Sequence, residues 1–206
     1  RRISTPNLKL EASMQEDRKQ QETNLGICVM CLEEAINTGV MLEQDIIAYP
    51  DIGLSLMKTL EYVSVEVKSK ILQLLAVLCV LSPSSHSVFV EAVIQFKTIK
   101  LGVFRDLLKE LTEGDDLEFK VGFFTWINSL VVMSDMIDDR IKVRGLFISE
   151  GLGGLLETLL QDFPDPDLEE QLRAFQDELE ADCLEAGCSL ADLRDAIIDP
   201  FQALNS

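Results

Sequence analysis

Two pairs of cysteines are the first residues whose types and spacing could do chemistry. Cys28 and Cys31 stand three apart, and Cys183 and Cys188 five apart. Four thiolates form a tetrahedral zinc set. Both pairs, however, fall in helical patterns rather than Gly-rich knuckles, and a long stretch of chain divides them. They read as buried core thiols, and no metal is expected. His86, the only histidine, sits in SPSSHS at a helix start and reads as a surface or capping residue. One such histidine is thin support for a Ser-His-Asp or Cys-His device. Gly151-Leu152-Gly153-Gly154 lacks the lysine that follows a phosphate loop and the strand that precedes it. Acid pairs are abundant, but a net charge of −18 makes chance pairs common. The chain reads as a non-enzyme without a cofactor.

Polar residues inside apolar patterns carry more information. Asn37, Gln73, Thr125 and Asn128 interrupt such faces. One reading makes them helix ends and satisfied core amides. The other makes them the polar groups of a groove, holding a bound peptide beside apolar pockets from Val77 and Val80. Trp126, amid Phe123, Phe124 and Ile127, reads as core.

The elements that must position these residues are helices. Residues 65–82, VEVKSKILQLLAVLCVLS, are apolar almost all round, too long for a strand and free of Gly and Pro, which predicts a buried helix. A shift of fifty-two residues gives LEFKVGFFTWINSLVVMS at 117–134. Glu66, Lys68, Leu78, Val80 and Ser82 align with Glu118, Lys120, Leu130, Val132 and Ser134. NLGICVMCLEEAIN at 24–37 falls on the same frame as a first buried helix. Shorter helices are expected at 40–48, at 52–60 with Asp51 as cap, and at 84–96, 103–111, 135–149 and 154–162. A last long helix is expected over 168–185. The pattern is short, short, long. It predicts an all-α, armadillo-repeat-like right-handed helical solenoid of about three to four repeats. Residues 1–23 read as a polar lead-in or loop, disordered or loosely attached, with a helix starting near Glu16; 24–167 read as the repeats, and 168–206 as a linker helix and acidic tail leading toward a dimerisation region.

Of the 206 residues 47% are hydrophobic, enough for a substantial core. The charge of −18 argues against nucleic acid or an anionic membrane as partner and favours a basic one. From Asp162 to Ser206 thirteen acids face two arginines. That segment reads either as a solvated helix and tail or as an electrostatic lure for a basic peptide. Five cysteines scattered in apolar helices point to reduced thiols of the cytosol. No apolar run reaches the length of a membrane span.

At these same residues the sequence resembles the armadillo-repeat domain of formins, the formin homology 3 or diaphanous inhibitory domain. The matching pieces are CLEEAIN at 31–37, ILQLLAVLCVLSP at 71–83, FKVGFFTWINSL at 119–130, DDRIKVRGLFISEGL at 138–152 and DLEEQLRAFQDELEAD at 167–182. SPSSHSVFVEAVIQF at 82–96 is similar to the inverted-formin and formin-like branches. The resemblance implies a concave surface that binds an amphipathic autoregulatory helix from a formin's C-terminal tail. It also implies inhibition of actin assembly in the cytoplasm, relieved by a Rho-family GTPase. By position it implies Asn37, Val77, Val80 and Thr125 as groove residues, to which the reading of the long helices adds Gln73 and Asn128. Val77 stands where the family usually has a small alanine, and Thr125 where diaphanous formins carry glutamine. The family's GTPase-binding subdomain and first repeat would precede Asn24, and residues 1–23 are too short for both. The expectation is therefore a fragment or divergent formin with an incomplete GTPase surface and a shortened dimerisation region after Glu185. Rival expectations are a generic armadillo or HEAT adaptor for another helix, and an oligomerisation scaffold, or homodimer, built through the C-terminal region.

Overall fold

Three runs of apolar spacing reappear as three long helices lying side by side. The computed structural model describes residues 6–40, 43–99 and 103–189. Its described elements are α1 (Pro6–Asn37), α2 (Glu43–Ala48), α3 (Asp51–Thr59), α4 (Val65–Val80), α5 (Pro83–Ile99), α6 (Val103–Glu113), α7 (Leu117–Val132), α8 (Ile137–Ile148), a 3-10 turn at Leu152–Gly154, α9 (Leu156–Asp162) and α10 (Pro166–Ala186). Helices α2–α3–α4 and α8–α9–α10 each make a short, short, long unit; in α5–α6–α7 the first helix, expected short over 84–96, runs Pro83–Ile99 and at 17 residues is as long as α7 with its 16. The long members stack in chain order: α1 on α4, α4 on α7, α7 on α10. This is the all-α, armadillo-like arrangement expected. No described helix is long and apolar enough to cross a membrane.

Local chemistry sets the helix ends. Asp116 caps α7 by accepting from the Phe119 amide at 2.8 Å. Asp165 caps α10, accepting from the amides of Asp167 and Leu168 at 3.0 Å each, with Pro166 at the first position. Asp51 does not cap α3; it sits in the first turn, and Pro50 holds the cap position with no side-chain bond. Gly187 ends α10 with φ 66°, a conformation that costs glycine nothing.

The core runs between the long helices and their shorter partners. Phe104, Phe123, Trp126 and Phe147 form one ring cluster, with Phe104 and Phe147 centroids 4.6 Å apart and Trp126 edge-on to Phe147 at 5.7 Å. All four are 0% exposed, so Trp126 is core as expected. Gly122 lies where α7 crosses α4; a methyl there would sit 3.5 Å from the Ser69 carbonyl, an ordinary contact. Lys120 is fully buried. It donates to the carbonyls of Leu111 and Gly114, the latter at 2.7 Å, and lies 3.8 Å from the Phe163 ring centroid. Burial pushes its pKa down, against the pull of Asp115 and Asp116. One lysine thus ties the turn before α7 to the turn before α10.

Three expectations need correction. The first long helix is continuous from Pro6, not a lead-in with a helix starting near Glu16. A run of strong helix formers without Gly between Pro6 and Gly26 accounts for it. Nor is that helix buried: among its described side chains only Val29 is. Its packing neighbour among the long helices is α4, so its other face is left open, and Cys28 and Cys31 are exposed rather than core thiols. Finally, His86 is buried, its Nε2 lying 2.8 Å from the Leu130 carbonyl, so α5 docks onto α7 through it. The acidic tail expected beyond Gly187 lies, from residue 190 on, outside the described residues.

Candidate partner-binding face

Helical spacing decides which side chains the stack leaves open. On α4 the exposed stripe runs Glu66, Gln73, Val77, Val80, at steps that return to one side of the helix. Val77 is 45% exposed and Val80 41%, whereas Leu74, Leu75, Leu78 and Cys79 between them are buried. On α7 the corresponding stripe is Glu118, Val121, Thr125, Asn128 and Val132. Two hydrogen bonds show that these stripes adjoin. Gln73 Nε2 donates to Glu118 Oε1 at 3.2 Å, joining α4 to α7. Asn128 Nδ2 donates to both the main-chain and side-chain carbonyls of Gln171 at 3.0 Å, joining α7 to α10.

The structure therefore brings Gln73, Val77, Val80, Thr125 and Asn128 onto one open face. Asn37 is exposed near the end of α1, on the stripe of Gly26, Met30 and Glu33. Gly26 in turn abuts Val67 of α4, a methyl there lying 3.6 Å from its side chain. The amides divide by role. Gln73 and Asn128 are already engaged between helices, and the Thr125 hydroxyl donates back to the Val121 carbonyl at 2.8 Å. The apolar residues Val77 and Val80 have no such engagement.

Sequence reasoning missed part of this face. Leu81 and Val132 are 42% and 70% exposed and lengthen its apolar end. For Val132 the signal was present: the fifty-two-residue echo aligns it with Val80. Gln171 and Glu118 were missed because their partners are distant in sequence. Beyond Gln171 the same flank of α10 carries Asp167, Ala174 and Glu178, so the face ends in acid.

Beneath it the wall is buried. The Cys79 thiol donates to the Ser129 carbonyl at 3.4 Å, and burial pushes its pKa up to about 12, so it is inert at neutral pH. At the far end Asp182, 2% exposed, accepts from Arg140 Nε at 3.0 Å and Nη2 at 2.6 Å, and from Arg144. Burial works to raise the Asp182 pKa, but the hydrogen bonds and charges of Arg140 and Arg144 outweigh it and hold the carboxyl below its ordinary value. This cluster clamps α10 to α8.

Among the described residues no three His, Cys, Asp or Glu side chains group as metal ligands. What the face offers chemically is area and charge. An apolar strip is flanked by amides and acids, which suits an amphipathic helix with basic residues beside its apolar stripe.

Comparison with known proteins bears on the same helices. A family model described as the diaphanous FH3 domain matches residues 86–197. Formin-F of Dictyostelium discoideum is 27% identical over 187 residues, covering 87% of this chain and 15% of that protein. Inverted formin-2 of Xenopus laevis is 28% identical over 152 residues, covering 73% of this chain and 14% of that protein. Its Xenopus tropicalis counterpart is 28% identical over the same length. The chain thus spans well under a fifth of the length of these relatives. Since the family model covers more than half of the chain, running from within α5 through α10, the chain belongs to the diaphanous FH3 domain family.

Proposed function

We propose that this chain is a regulatory, non-catalytic binding module of an actin-assembling formin. Its open face captures an amphipathic C-terminal helix and so restrains actin assembly. The single observation that carries this is the shared exposure of Val77, Val80 and Leu81 at the end of α4 and Val132 at the end of the adjoining α7. Most other apolar side chains of α4 and α7 are buried or half-buried. A partner inserting about three leucines would gain several kcal/mol from that strip. The acids on α10 and the overall charge of −18 would speed capture of a basic-flanked helix. Release by a GTP-bound Rho-family GTPase, and action in the cytoplasmic actin cytoskeleton, belong to the same proposal and rest on the family resemblance alone.

The test is a fluorescence-anisotropy titration of the chain with a labelled Leu-rich, basic-flanked amphipathic peptide at low and high salt. The expected result is saturable binding that weakens with salt. Val77→Asp should reduce affinity about tenfold or more while the helical circular dichroism is unchanged. Equal affinity of the wild type and Val77→Asp proteins would remove the face from the binding reaction.

A further inference from the structure

The end of α10 holds two thiols in a geometry that the binding reading does not use. Gly187 turns the chain into the left-handed region, and the Cys188 amide then donates to the Cys183 carbonyl at 3.0 Å. This closure brings the residue after the glycine back over the last turn, on the side where Cys183 packs. Cys183 is buried at 7% exposure, and Cys188 is partly buried and packs against the same core. Both are free thiols in this structure. A disulfide needs α-carbons about 4.4–6.8 Å apart with converging side chains. Had α10 continued as helix, residues five apart would lie about 140° around the axis and ~7.5 Å along it, too divergent to join.

We propose that Cys183 and Cys188 form a peroxide-sensitive dithiol whose oxidation to a disulfide locks α10 in its terminated form at Gly187. Cys188, the more accessible, attacks hydrogen peroxide; the O–O bond breaks, giving a sulfenic acid on Cys188 and water. Cys183 then attacks that sulfur. The S–S bond forms, the S–O bond breaks, and hydroxide leaves, taking up the Cys183 proton as water. Two thiols are oxidised and one peroxide is reduced to two waters. Burial pushes the Cys183 thiol up to about 11, which makes this second step slow but leaves it intramolecular. The disulfide excludes any state in which helix continues past Gly187, and so fixes the direction in which the chain leaves the solenoid. The neighbouring Asp182, clamped by Arg140 and Arg144, holds the turn against α8 while the bond forms.

The experiment treats the purified chain with hydrogen peroxide, alkylates it without reduction, and maps its peptides by mass spectrometry. Amide hydrogen exchange is read alongside. The expected result is a Cys183–Cys188 link that is absent in Cys188→Ser and reversed by dithiothreitol, with slower exchange at the Gly187 and Cys188 amides in the oxidised form. The proposal is overturned if Cys188 proceeds to sulfinic acid while Cys183 stays alkylatable. It is also overturned if either sulfur pairs instead with Cys28 or Cys31, or if the link forms with no change in exchange.

Discussion

Asn128 on α7 reaches both carbonyls of Gln171 on α10, each at 3.0 Å. A half-buried amide on the open face is therefore a joint between two long helices before any partner arrives. Asn128→Ala should destabilise the chain by about 1 kcal/mol, the ordinary loss for such bonds, seen as a lower urea midpoint. Peptide affinity should change far less than in Val77→Asp. A large affinity loss at unchanged stability would instead make Asn128 a partner contact.

Val77 makes the opposite case. It is 45% exposed and its backbone neighbours carry the packing. Val77→Asp should cost no more than about 1 kcal/mol in urea unfolding. A loss several times larger would place Val77 in the core and void its use as a binding probe.

The Asp182 carboxyl is held below its ordinary value in the folded state by Arg140 and Arg144, with burial opposing. A depressed folded pKa contributes stability that is present above the unfolded value of about 3.9 and is lost as pH falls through the folded one. Acid titration should therefore show α10 loosening from α8 below about pH 4. Asp182→Asn should abolish that component and lower stability at neutral pH by about 3 kcal/mol, because two arginines lose their shared counter-charge. A flat difference between the two proteins from neutral to acid pH would refute the assignment.

Cysteine accessibility gives a direct readout of the stack. Cys28 and Cys31 are exposed, whereas Cys79 is buried with its thiol pushed up to about 12. Iodoacetamide at neutral pH should label the first two and leave Cys79 unmodified until denaturant is added. Labelling of Cys79 in the native protein would mean that the α4–α7 contact opens readily.

Lys120 offers a test of how the turns are held. Lys120→Met keeps the side chain's length but strips two carbonyls of their donor. A loss of about 1–3 kcal/mol is expected. Since the lysine also lies over Phe163, proteolysis between α9 and α10 should become faster. Unchanged proteolysis there would confine the lysine's role to α7.

The helices and their order were legible in the sequence because an all-round apolar run of helical length has one way to hide, between other helices. The fifty-two-residue echo of α4 in α7 likewise announced two equivalent units, and so the stack. Val77 and Val80 were singled out by their position in the family resemblance, because a run that is apolar almost all round does not tell its open side from its buried ones. What periodicity cannot carry is which partner occupies a given side. Cys28 and Cys31 have the same local pattern as a core helix, yet they are exposed because the row of long helices covers α1 on one flank only. His86 looks like a capping residue by its SPSSHS surroundings, and is buried because the Leu130 carbonyl lies opposite it. Gln73 and Asn128 read equally well as core amides or partner contacts until Glu118 and Gln171 are seen across the helix boundary. Local sequence sets where a helix starts and which of its faces is apolar. The pairing of polar groups forty or more residues apart is set by how helices cross, and only the tertiary structure decides that.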